Sequence, residues 1–109
     1  MNKDAFRKQA PLPVAIHRKT GEPLNLGEWQ ADPDAAVGPA DLGLEQQIAL
    51  VAARWRAGGW PDLIYGTDGE IDAERAIREM KMQSAMGRHL LAIGLRAIEM
   101  ARADAGQGE

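Results

Sequence analysis

The run from Asp72 to Ala105 contains no proline and reads as amphipathic helix throughout; nothing else in the chain constrains the fold as strongly. At about 1.5 Å per residue a continuous helix of that length spans roughly 50 Å. A compact chain of this size has a radius of gyration of ~13 Å, and so a diameter of about 34 Å. The helix must therefore either break or project toward a partner. Glycines stand at 87 and 94, and each costs roughly 1 kcal/mol relative to alanine inside a helix, so their presence asks for a reason.

Two neighbouring heptad columns form a seam along this helix. One reads Ala73, Met80, Gly87, Gly94, Ala101, and the other Ile77, Ser84, Leu91, Ile98. At 3.6 residues per turn both lie on one face. Up to Ser84 the apolar arc is about 100° wide, enough for a single neighbour. Beyond it Met86, Leu90, Ile93, Ala97 and Met100 widen the arc to about 200°, leaving Arg88, His89, Arg96 and Glu99 as a polar strip. Small residues on the seam suit close helix–helix approach, and a bend at a glycine is the alternative.

The rest of the chain is organised around that helix. With 109 residues, one domain is the natural count, and a thin core is commonly supplemented by oligomerisation. Hydrophobic residues make up 45 % but aromatics only 5 %, which favours packed helices over a sandwich of strands. Residues 1–38 form a Pro-rich arm. Within it Leu12, Val14 and Ile16 alternate, Lys19–Glu22 can turn, and Leu24 and Leu26 alternate again. The arm is either a short hairpin, held to edge pairing by Pro13 and Pro23, or an extended wrap over the helices. Asp32 to Pro39 reads as a linker. A first helix covers 39–57, with Leu44, Ile48, Val51 and Trp55 at the 4-3-4 spacing of one face and Gly58-Gly59 to end it. A connection over 58–71 carries the apolar cluster Trp60, Leu63, Ile64 and Tyr65, and the second helix, 72–105, is capped from Thr67 or Asp72.

The net charge of −3 conceals a segregation. Residues 1–19 carry Lys3, Arg7, Lys8, Arg18 and Lys19 against Asp4 alone, whereas residues 20–72 carry ten acids against Arg54 and Arg56. A basic arm beside an acidic middle can bind an external polyanion or fold back on its own chain. Together with Phe6 and His17, the five basic residues are the candidate phosphate-backbone contacts.

Catalytic and metal chemistry find little support. Absence of cysteine removes disulfides, thiolate zinc sites and a Cys nucleophile, and fits a cytoplasmic setting. An Arg-rich, Ala/Gly-rich composition hints at a bacterial or phage source. Ser84, the only serine, lies on the seam away from His89, so packing explains it better than nucleophilic catalysis. His17 and His89 have no helical ligand partner, and the Asp68–Asp72 turn lacks the first and last ligands of a calcium loop. No Gly-rich phosphate loop is present, and no apolar run approaches the ~20 residues a membrane span needs.

The expected fold is mostly α, an antiparallel helical hairpin with a long C-terminal helix and an extended or β-hairpin-bearing N-terminal arm. The expected function is non-enzymatic, with no cofactor: an interaction or assembly protein pairing with a second copy, a dimer first, or with another protein. Gly87, Leu90, Leu91, Ile93, Gly94, Ala97 and Ile98 are the expected interface. An adaptor for nucleic acid or an acidic partner is the alternative, and an enzyme with an unrecognised site the third.

Overall fold

The computed structural model describes residues 11–59 and 73–107. Lys3, Phe6, Arg7, Lys8, the apolar cluster at 60–65 and the turn and cap expected at 66–72 lie outside the described residues.

The N-terminal arm is a hairpin. Strand β1 (Pro13–His17) pairs antiparallel with β2 (Pro23–Asn25) on one side and with β3 (Ala36–Val37) on the other. Its turn is pinned by the His17 imidazole, whose Nδ1 accepts the backbone N–H groups of Lys19 (3.1 Å) and Thr20 (3.2 Å). Proline was expected to confine the hairpin to an edge; β1 is instead the central strand. Pro13 is tolerated because it is the first residue of the strand, and β3 reaches only Ile16 and His17. Burial on both sides follows from the central position, and Pro13 and Ala15 are as buried as Leu12, Val14 and Ile16.

Two further departures lie in the same region. Leu26 does not extend β2 but opens helix α1 (Leu26–Ala31). Asn25 Oδ1 accepts the Glu28 N–H while Glu28 Oε1 accepts the Asn25 N–H, both at 2.9 Å, a capping box that turns the chain into helix. The expected linker at 32–39 holds a single 3₁₀ turn, Pro33–Ala35, and then β3, and a second such turn, Pro39–Asp41, stands where the first helix was expected to begin. Each turn starts on proline, whose missing N–H would have had no helical partner there. A strand of two residues is too short to show any periodicity.

Helix α2 (Leu44–Arg54) therefore begins later than position 39, with Gln46 Oε1 accepting the Gly43 N–H at 3.4 Å. Ile48, Val51 and Trp55 are buried as the 4-3-4 spacing requires, whereas Leu44 is 48 % exposed. A wider turn, Trp55–Gly59, ends the helix, with Gly58 at φ 110°.

The proline-free run breaks. Helices α3 (Ala73–Met82) and α4 (Ala85–Gln107) meet at Gln83-Ser84, four residues before the first glycine. Gln83 adopts the left-handed conformation, φ 57°. Its N–H bonds to the Met80 carbonyl (3.1 Å) and the Ser84 N–H to that of Glu79 (3.3 Å), the paired bonds of a Schellman stop. Ser84 then starts α4: its Oγ accepts the Gly87 N–H at 2.9 Å and donates to Glu79 Oε1 at 2.7 Å. Ser84 is thus a helix cap, not a seam residue. The broken run fits a body with a longest extent of 41 Å and a radius of gyration of 13.7 Å.

A left-handed non-glycine residue costs roughly 1–2 kcal/mol. Part of this is offset by Gln83 Nε2, which donates to the Met80 carbonyl at 2.7 Å. Gln83→Gly is accordingly expected to raise stability by about 0.5–1 kcal/mol, read as a higher urea midpoint with an unchanged m-value.

Both glycines serve close approach. At Gly87 a β-carbon would overlap the Glu79 carbonyl of α3, and at Gly94 it would lie 2.5 Å from Val51 Cγ1 of α2 and 3.3 Å from Trp55 Cζ2 in the turn that follows it. The seam expected from the heptad columns is present and lies inside the chain. Its core joins β1 (Val14, Ile16), α1 (Leu26), α2 (Leu50, Val51) with Trp55 just after it, α3 (Ile77, Met80) and α4 (Leu90, Ile98).

Candidate interaction surface

Helix α4 divides into two faces. The inner face carries Gly87, Leu90, Leu91, Gly94, Ile98 and Ala101, all buried against the rest of the chain. Five of the seven residues expected at an interface therefore pack internally in the single chain: Gly87, Leu90, Leu91, Gly94 and Ile98. Ile93 and Ala97 are half-buried. They continue into Met86 and Met100, which are 39 % and 56 % exposed. At 3.6 residues per turn Met86, Ile93, Ala97 and Met100 fall within about 60° of one another on the wheel, a stripe about 21 Å long. Exposed His89 and Arg96 border it on the solvent side.

The far end of α4 is clasped by side chains that no motif announced. The Arg102 guanidinium lies 4.7 Å from the centre of the Trp29 indole of α1, a cation–π contact. It also meets Gly38, where a β-carbon would overlap the guanidinium. Periodicity carries no trace of a contact between residues so far apart in the chain.

Arg54 and Arg56 part ways as well. Both are cations near the C-terminus of α2. Arg54 is 3 % exposed and donates from Nη1 to the Pro13 carbonyl at 3.2 Å, joining α2 to the irregular start of β1. Burial lowers its pKa from the usual guanidinium value. Arg56 remains at the surface and holds both carboxylate oxygens of Glu74 at 2.9 Å across the 60–72 connection. The hydrogen bonds from Arg56 lower the Glu74 pKa.

Of the expected polyanion contacts, Arg18 and Lys19 sit exposed on the β1–β2 turn. Arg18 folds toward its own acidic segment: its Nε donates to the Asp34 carbonyl at 3.3 Å and its N–H to that of Ala35 at 2.7 Å. His17 turns its imidazole onto the hairpin. His89 is exposed on α4. Among the described residues no three His, Cys, Asp or Glu side chains converge as a metal site, and no helix is long and apolar enough to cross a membrane. A cleft of about 320 Å³ opens between α2 and α3, lined by Glu45, Ile48, Ala49 and Lys81.

The chain matches no protein-family model, and no curated protein or solved structure is significantly similar to it.

Proposed function

We propose that this protein is a non-enzymatic assembly module that pairs with a second copy of itself through the outer stripe of α4. The observation that carries this reading is the apolar line Met86, Ile93, Ala97, Met100, which stays partly exposed after the chain's own elements have covered the inner face. Its spacing is self-complementary. Met86 and Met100 stand seven residues either side of Ile93, so an antiparallel copy centred on Ile93 sets methionine against methionine, as an isologous interface requires. Methionine also repacks readily against an irregular partner surface.

Size sets the strength of such pairing. A stripe one helix wide presents on the order of 200 Å², against the ~800 Å² per partner of a stable complex. The expected assembly is therefore weak and concentration-dependent. In sedimentation velocity the wild-type chain should shift toward dimer at high micromolar concentration. Met86→Glu with Met100→Glu should weaken that association at least tenfold while leaving the helical circular dichroism and melting temperature in place. A wild-type chain that stays strictly monomeric at high micromolar concentration sinks the proposal.

A further inference from the structure

The turn between α3 and α4 is held by conformation and caps, without a residue that forbids helix. Lys81-Met82-Gln83-Ser84-Ala85-Met86 contains neither proline nor glycine. What bends it is the left-handed Gln83, at φ 57°, together with the bonds joining Glu79, Met80, Gln83, Ser84 and Gly87. If Gln83 returns to the right-handed region, ordinary helical bonds replace them and α3 and α4 become one rod of roughly 50 Å. The amphipathic pattern is already continuous across the break.

Everything α4 packs against comes before this turn in the chain: Glu79 beneath Gly87, Val51 and Trp55 beneath Gly94, and Trp29 and Gly38 around Arg102. A second copy can supply the same groups in the same geometry, so an exchanged helix loses none of these contacts. Short hinges under backbone strain favour such exchange. Met82 and Met86 flank the hinge and are exposed, 61 % and 39 %. On a straightened rod they are four residues apart on one face, placed to bury against the same pair where two rods cross.

We infer that α4 exchanges between two copies of this chain, with Gln83-Ser84 as the hinge, so that Gly87, Leu90, Leu91, Gly94 and Ile98 become contacts between copies. The partner is the one proposed above, but the surface differs, and the exchange stands without the Met86–Met100 stripe.

The test uses the full chain, incubated at millimolar concentration and then diluted, with dimer fraction read by size-exclusion chromatography with light scattering. Ser84→Ala removes the cap that starts α4 and is expected to raise the dimer fraction at least threefold. Gln83→Gly relieves the bent state and is expected to lower it by a similar factor. Because the chain has no cysteine, Trp29→Cys and Arg102→Cys can be made in separate copies, mixed under the same conditions and treated with a short bis-maleimide. Cross-linking between copies is expected in the dimer. Met100→Glu distinguishes the two surfaces: it removes stripe pairing, which reverses on dilution, and leaves exchanged dimers, which persist for hours because separation requires α4 to detach. Dimer fractions unmoved by both hinge variants overturn the exchange, as does a dimer that gives no Trp29→Cys to Arg102→Cys cross-link between copies. Should Ser84→Ala fail to fold, Gln83→Gly and the cross-link decide alone.

Discussion

Gly87→Ala is expected to destabilise the protein by about 3 kcal/mol, although it replaces the worse helix former with the better one. Intrinsic propensity alone would predict a gain of roughly 1 kcal/mol for this change. The methyl group has no room, however. It would enter the Glu79 carbonyl and crowd the Met80 nitrogen, and both are backbone atoms held in α3. A side chain can rotate away from such an intrusion, but a helical carbonyl moves only with its helix. The α3–α4 junction would have to open, drawing apart Met80, Ile77 and Leu90 in the core. Chemical denaturation reads the result directly. A stability equal to or above wild type would mean that the two helices do not approach at this point. The same substitution at Gly94 meets side chains instead, Val51 Cγ1 at 2.5 Å and Trp55 Cζ2 at 3.3 Å, so Val51 has to shift, but it can do so without moving a helix backbone. Gly94→Ala should therefore cost less than Gly87→Ala, and that ordering is itself a check.

Arg54→Ala is expected to cost about 2–4 kcal/mol. The Pro13 carbonyl would lose its donor in a buried setting, which alone is worth about 1–3 kcal/mol. Loss of the aliphatic stem adds a packing deficit between α2 and β1. Burial lowers the Arg54 pKa, so the charged form is less favoured in the fold than in the unfolded chain. That penalty is present throughout the neutral range and disappears only in strongly alkaline solution, once the guanidinium has lost its charge in the unfolded chain as well. A neutral side chain of similar length avoids it. Arg54→Met should therefore retain more stability than Arg54→Ala, by about 1 kcal/mol. Thermal unfolding at neutral pH compares the three proteins, and equal losses for both variants would mean that the stem contributes nothing.

Much of the helical architecture was legible because burial of one face imposes a period on the residues that form it. Ile48, Val51 and Trp55 in α2, and Ile77, Met80, Leu91 and Ile98 in α3 and α4, are buried where that period puts them. The double glycine ends the first helix, with Gly58 at φ 110°, because only glycine occupies that region without strain. The Lys19–Glu22 turn was readable as one of two options for the arm, but the alternation of Leu12, Val14 and Ile16 does not mark one buried face, since Pro13 and Ala15 are buried as well. What escaped was set by interactions that periodicity does not encode. Asn25 and Glu28 turn the end of a strand into a helix through two hydrogen bonds, and β3 is too short to alternate. Arg102 meets Trp29 and Gly38 from the far end of the chain.

The candidate surface divides in the same way. An apolar arc of about 200° on the C-terminal half is wider than one neighbour can cover, and the fold covers its inner face. Which part of the arc stays open depends on how α2, α3 and β1 close on α4, which a helical wheel does not contain.

The amino-acid sequence by itself pointed to helix over 72–105, a seam of small residues along it, and an apolar arc that widens after Ser84. Only the tertiary structure decided where the run breaks. Both glycines serve close approach within α4, and the turn falls on Gln83-Ser84, where a left-handed glutamine and a serine cap are stable because folding brings Gly87 onto Glu79 and Gly94 onto Val51. Local preference across that junction is for continuous helix, so the bend exists only because the packing on either side of it offsets the backbone cost.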